Sequence, residues 1–259
     1  MSFETVIFEK KENIAYITLN RPQRLNIYNI QMRDDLWEVF GAIKADAEVR
    51  AVVLTGTGRA FCAGADLTEF GSAPSVVVAR DVRFQRDLWG LLASIEQPIV
   101  VAINGFCMGS GIEMSMFCDI RIAAEEAQFG LPEVALGMVP AACGTQTVPR
   151  MIKPGWAMEL MLLCDRISAQ EAYRIGLVNR VVPLNDLMPA AIGLAQEIAA
   201  KSPIAVRAAK RAVNQGLGLT LAQGLELEMR LSSLILGSED RIEGVRAFLE
   251  KRPPNFQGR

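Results

Sequence analysis

The sequence contains no histidine. That excludes Ser-His-Asp and Cys-His nucleophile systems and any histidine-ligated metal site. Acid–base chemistry near neutral pH then falls mainly to carboxyl groups with raised pKa values, with lysine and cysteine behind them. Cysteine is sparse. Cys62, Cys107, Cys118, Cys143 and Cys164 form no C-x-x-C pair, and most lie in apolar stretches. They read as packed, reduced thiols in a cytosol-like compartment, which makes a cytoplasmic location the expectation. No apolar run reaches the length of a membrane span, so none is expected. The opening MSFETVIFEKKEN alternates apolar and polar residues and has no signal-peptide core; it reads as a first strand. The formal charge is only −2, so no global field draws in nucleic acid, and no basic stripe with interleaved aromatics is present.

Half of the residues are hydrophobic, 51%, which suits one large α/β unit. Residues 6–9 and 14–19 read as a hairpin. Met32, Leu36, Val39, Phe40 and Ile43 recur at helical spacing behind Asn29, a plausible N-cap. Short apolar runs at 51–54, 98–103 and 120–124 read as buried strands. Helical segments lie between them, which predicts parallel pairing. Ser168 and Glu171 have the spacing of a capping box, and Gly176 can end the helix they start. Leu187, Ala191, Leu194 and Ile198 make one apolar stripe. Beyond residue 200 only helical patterns occur, at 204–215, 221–236 and 239–251. The expected organisation is a core over 1–199 and a helical subdomain over 200–259.

Three stretches can carry chemistry. In Phe61-Cys62-Ala63-Gly64-Ala65-Asp66, small residues let backbone approach a ligand with N–H groups free to meet an oxygen. In Gly105-Phe106-Cys107-Met108-Gly109-Ser110-Gly111, a strand runs through a glycine-rich turn into a helix start, where the first N–H groups lack partners. It is neither a dinucleotide fingerprint, since position 114 is Met, nor a P-loop. Two such loops can aim one N–H each at the same carbonyl oxygen. The third stretch supplies carboxyls. Glu113 sits among Ile112, Met114, Met116, Phe117 and Cys118 on a helix with no polar face. Glu133 lies in the equally apolar Phe129–Gly137 segment. A carboxylate without a partner is costly to bury, so each is either a structural salt-bridge or capping group or a functional one. Two carboxyls close together titrate as a unit: one holds a proton while the other stays ionised. With an oxyanion hole beside them, that suits addition of water across a double bond conjugated to a carbonyl.

The segments F-C-A-G-A-D-L, N-G-F-C-M-G-S-G-I-E-M-S-M-F-C-D and F-G-L-P-E-V-A-L-G-M-V-P resemble the enoyl-CoA hydratase/isomerase, or crotonase, superfamily. So do the opening T-L-N-R-P and the closing S-E-D-R-I-E-G-V-R-A-F-L-E-K-R-P-P-N-F. The resemblance implies a crotonase-like spiral of ββα turns. Its C-terminal helices would serve oligomer contacts and complete the coenzyme A site, in a homo-oligomer that is a trimer or a dimer of trimers. It implies an acyl-CoA thioester substrate, so that coenzyme A belongs to the substrate and no separate cofactor or metal is needed. By motif position, the N–H groups of Ala65 and Ser110 form the oxyanion hole. Glu113 positions and deprotonates water, and Glu133 protonates the α-carbon. Arg24, Leu25 and Asn26 match the segment along the adenine and pantetheine. Ala63, Asp66 and Leu67 flank the thioester, with Gly109 and Ala141 also at the substrate. Lys251 and Phe256 match C-terminal residues that approach the nucleotide, sometimes from a neighbouring subunit.

Three places depart from the family pattern. Ser110 stands where glycine is common, Pro140-Ala141-Ala142-Cys143-Gly144-Thr145 replaces a more glycine-rich loop, and Tyr28 stands where small or aliphatic residues are usual. Residues 70–90, starting with a mobile Gly-Ser-Ala-Pro loop, are expected to shape the acyl end of the pocket. The leading reading is an enoyl-CoA hydratase, a carbon–oxygen lyase of acyl-CoA degradation. Alternatives are a Δ3,Δ2-enoyl-CoA isomerase, a hydratase for cyclic enoyl- or dienoyl-CoA, and a non-catalytic acyl-CoA-binding or assembly protein.

Overall fold

The computed structural model describes residues 3–75, 77, 78, 81, 82 and 85–259. The part of the expected 70–90 loop at residues 76, 79, 80, 83 and 84 lies outside the described residues.

A six-stranded sheet holds β1 (Val6–Lys11), β2 (Ile14–Leu19), β3 (Ala51–Gly56), β5 (Ile99–Ile103), β7 (Ile120–Ala124) and β10 (Arg180–Val182), in that order. β1 and β2 are the antiparallel hairpin; from β2 to β10 every pairing is parallel. Both faces are covered, which is why β5 and the first four residues of β3 are apolar without a break. Leu54, Ile99 and Val101 face one core with Leu36, Phe40 and Ile43 of α1 (Ile30–Ala45). Val53, Val100 and Ala102 face a second core with Leu187, Ala191 and Leu194 of α7 (Leu184–Ala199). Asn29 caps α1, accepting a hydrogen bond from the Met32 amide at 3.0 Å.

A second sheet has four short strands: β4 (Ala60–Cys62), β6 (Phe106–Met108), β8 (Gln128–Gly130) and β9 (Ile167–Ser168). β6 falls in the stretch read from the sequence as a glycine-rich turn, and this is a correction; β4 and β8 fall where no strand is expected from the sequence. Strands of three residues inside glycine-rich stretches leave no alternation to detect, and what holds them is pairing with distant segments. Each turn of the chain lays one strand in the large sheet and the next in the small one: β3 then β4, β5 then β6, β7 then β8. The intervening helices include α2 (Leu88–Ala93) and α3 (Ser110–Ser115).

The capping box at Ser168 is only half made. Ser168 Oγ accepts from the Glu171 amide at the start of α6 (Ala169–Arg174), but the Glu171 carboxylate pairs with Arg174. Between β8 and β9 lie α4 (Gly144–Met151) and α5 (Pro154–Leu162). Beyond residue 200 the chain forms α8 (Pro203–Gly216), α9 (Leu221–Ile235) and α10 (Glu239–Leu249). α8 is tied to the sheet by Lys210 Nζ, which donates to Asp119 Oδ2 at 2.7 Å and to the Gln97 carbonyl at 2.9 Å. The C-terminal tail folds back on buried Asp240, which accepts from Ser202 Oγ and the amides of Gln257 and Gly258. Among the described residues, no helix is long and apolar enough to cross a membrane.

Candidate active site

The small sheet assembles the site. β4, β6 and β8 are parallel, with Cys62 beside Cys107 after a one-residue shift in the β4–β6 register, and Met108 beside Gly130. Parallel strands send their next residues out of the same edge. Ala63-Gly64-Ala65, Gly109-Ser110 and Leu131-Pro132-Glu133 therefore emerge side by side, although some 70 positions separate the first from the last.

The first loop is braced from the N-terminal side. Tyr28 bridges Ala65: the Tyr28 amide donates to the Gly64 carbonyl at 2.8 Å, and the Asp66 amide donates to the Tyr28 carbonyl at 2.7 Å. In a parallel bridge the flanking groups make the bonds, so the N–H of Ala65 itself faces the other way. The Ala63 amide donates to the Leu25 carbonyl at 3.1 Å. Leu25 and Asn26 are both left-handed, with φ of 52° and 54°. Fully buried Asn26 clips the segment down, donating to the carbonyls of Thr57 and Ala60 and accepting from the Arg21 amide. Asp66 accepts from the amide and hydroxyl of Thr68, which together with Arg21 hold its carboxyl below the usual range.

The second loop turns through Gly109, at φ 49° and ψ −118°, into α3, all of which is buried. That backbone region is open essentially to glycine alone. A Cβ at Gly109 would also lie 2.6 Å from Glu133 Oε1, so the Glu133 carboxyl would have to move aside. A Cβ at Gly111 would run into the Cys62 carbonyl. These two positions fix how closely α3 and the third loop can approach the first.

Glu113 is 2% exposed, and its Oε1 accepts from the Gly144 amide at 2.9 Å. Glu133 is half-buried in the short 3-10 turn Pro132–Leu136, and its Oε2 has no hydrogen-bond partner among the described residues. Loss of water around it raises its pKa above the ordinary glutamate value. Both carboxyls line one cavity of about 430 Å³ with Ala63, Gly64, Ala65, Leu67, Gly109, Ser110 and Ala141. A second cavity of about 230 Å³ shares the walls Ala65, Phe70, Ser110 and Ala142. It continues past Tyr28, Trp89 and Val82, with Arg33, Glu69 and Arg86 among its polar groups. The rings of Tyr28 and Trp89 lie 5.4 Å apart. The loops bearing the Ala65 and Ser110 amides, two carboxyls and an adjoining apolar recess are a set that can polarise a carbonyl, hold water and move a proton. The thiols are poor nucleophiles by contrast. All five cysteines are free, and burial pushes Cys62 up to about 11 and Cys118 up to about 12.

Of the residues singled out in the sequence, Glu113, Glu133, Ala65, Ser110, Ala63, Leu67, Gly109 and Ala141 share this cavity. Leu25, Asn26 and Asp66 stand behind it as supports, and Arg24 is exposed beside them. Lys251 and Phe256 are elsewhere in the chain. The Phe256 carbonyl accepts from Arg50, just before β3, whereas the loops leave beyond the other end of β3. Six strand residues span about 20 Å. The sequence reading missed the Gly144 amide as the partner of Glu113 and Arg33 as a cavity wall, whereas Arg86 and Trp89 fall in the 70–90 segment expected at the acyl end of the pocket. Only the altered 140–145 loop hinted at the first.

Solved structures share this architecture. The crystal structure of enoyl-CoA hydratase from Bacillus anthracis superposes with a TM-score of 0.94 at 40% identity, covering 99% of this chain and 100% of that one. The fold is therefore the crotonase fold. The family model for enoyl-CoA hydratase/isomerase matches residues 9–259. The chain is 40% identical to a crotonyl-CoA hydratase of Syntrophomonas wolfei, over 99% of both chains. It is 38% identical to a 2,3-dehydroadipyl-CoA hydratase of Escherichia coli, over 98% of this chain and 99% of that one. The chain belongs to the enoyl-CoA hydratase/isomerase family.

Proposed function

We propose that the protein is an enoyl-CoA hydratase, adding water across the α,β double bond of an acyl-CoA thioester. The observation that carries this reading is the meeting of two carboxyls, Glu113 and Glu133, on one cavity wall with the loops bearing the Ala65 and Ser110 amides. Both amides donate to the thioester oxygen, which gathers negative charge as water attacks the β-carbon. Glu113, ionised and held by the Gly144 amide, takes the proton of the attacking water. Glu133, whose raised pKa keeps a proton available, delivers it to the α-carbon. The β-carbon gains the hydroxyl of the water and the α-carbon the proton of Glu133; the proton taken by Glu113 then returns to Glu133 through solvent water, which closes the cycle, and no cofactor is called for, because coenzyme A arrives with the substrate. The acyl chain extends toward Tyr28 and Trp89. Coenzyme A runs along 24–26, and Lys251 and Phe256 reach the nucleotide from a neighbouring subunit of a homo-oligomer, a trimer or dimer of trimers. The large apolar side chains left exposed on α9 and α10, among them Leu221, Leu225, Met229 and Phe248, support that assembly.

The test is to offer crotonyl-CoA and a series of cyclic enoyl-CoA esters and follow loss of the conjugated absorbance. The reading expects a hydroxyl at the β-carbon. A displaced double bond with no water added would make the protein an isomerase, and coenzyme A binding without turnover would make it a binding protein.

A further inference from the structure

The two serines of α3 behave differently. Ser115 does what a helical serine usually does, its Oγ donating to the Ile112 carbonyl at 2.8 Å. Ser110 is 7% exposed, yet its hydroxyl bonds to no described residue. Its oxygen is not among the sealed, unpartnered atoms, and Ser110 lines both cavities at the wall they share with Ala65. Buried hydroxyls are nearly always hydrogen-bonded, so one left open at a junction of two cavities is available to a ligand there. A hydroxyl rotates freely and can turn its hydrogen to an acceptor that the N–H of the same residue already holds.

We infer that the Ser110 hydroxyl is a third donor to the substrate's thioester oxygen, beside the amides of Ala65 and Ser110. The inference rests on the hydratase reading for its kinetic effect, but its structural effect does not require hydration. The hydroxyl carries no charge and transfers no proton; its hydrogen bond strengthens as the oxygen becomes an enolate. Its contribution is thus to kcat more than to KM.

The decisive comparison is wild type with Ser110→Ala, Ser110→Gly and Ser110→Thr. All three variants keep the backbone N–H, and only Thr keeps a hydroxyl. The first readout is the infrared carbonyl stretch of bound butyryl-CoA carrying 13C at the thioester carbon, a ligand with no double bond to hydrate. The second is crotonyl-CoA hydration. Expected is a lower stretching frequency on wild type than on the Ala and Gly variants, with Thr restoring part of the difference. Hydration by the Ala and Gly variants should fall by about 10²-fold in kcat with KM little changed, the scale for one oxyanion donor. Identical stretches on wild type and the Ala variant overturn the proposal, as does a loss of rate with no change in the stretch, which would assign the hydroxyl to water or to a glutamate. If wild type shifts the stretch but hydrates no enoyl-CoA, the hydratase reading fails while the donor role of Ser110 stands.

Discussion

Glu133 carries a cost that a structural glutamate would avoid. One of its oxygens is buried without a partner, and no cation is paired with it among the described residues. Its pKa is raised in the folded chain, so folding favours the protonated form. The stability this gives is full at low pH and is lost as pH rises through the raised value, where the folded chain must hold an uncompensated charge. Glu133→Gln should therefore raise the melting temperature at pH 8. At pH 4 the gain should vanish; a gain independent of pH, or none at pH 8, would contradict the account. The pH–rate profile follows the same group. Turnover should fall on the alkaline side as Glu133 loses its proton, and that limb should be absent from the residual activity of Glu133→Gln. At Gly109, left-handed backbone and contact with Glu133 act together. Gly109→Ala should lower turnover by at least about 10²-fold by displacing the acid, the range for a lost acid–base group.

Among the elements, legibility followed length and locality. α1 announced itself by its apolar stripe and its Asn29 cap, β5 and the start of β3 by unbroken apolar runs, and β7 by an apolar run interrupted only at Arg121. The glycine-rich loops and both glutamates stood out as residue types. What stayed hidden was the small sheet that brings them together, because its strands are three residues or fewer and pair across 20 or more positions. The Gly144 amide was hidden for a similar reason: a backbone donor has no side chain to signal it. Ser168 shows the opposite error, a local motif half diverted by the nearby cation of Arg174. The brace formed by 21–28 gives a test at this scale. Asn26→Ala removes three hydrogen bonds of a fully buried side chain and takes their partner from the Thr57 carbonyl and the Arg21 amide, so it should cost about 2–4 kcal/mol. Urea unfolding should show a lower midpoint with an unchanged m-value, and turnover should drop as the Ala65 loop loosens. An unchanged midpoint would mean that the brace is dispensable.

At the scale of the whole molecule, one long sheet covered on both faces stands beside a second, short sheet, and the candidate site lies at the C-terminal ends of the latter's parallel strands. The C-terminal helices leave much apolar surface uncovered, with Leu221 at 80% and Phe248 at 83% exposure. Replacing Leu225 and Met229 of α9 together by Glu should shift sedimentation from a trimer or hexamer toward monomer. If Lys251 and Phe256 reach a neighbour's nucleotide site, KM for the CoA ester should rise with it. A wild type that sediments as a monomer would contradict that part of the account. The central claim is that Glu113 and Glu133 work as one acid–base unit on one water. Its most direct measurement is crotonyl-CoA hydration by Glu113→Gln, Glu133→Gln and the double variant. Each single change should reduce kcat by at least about 10²-fold. The double variant should be little worse than the poorer single one, as for groups that act as a unit. Near-normal rates in both single variants, or losses that multiply in the double, would contradict it.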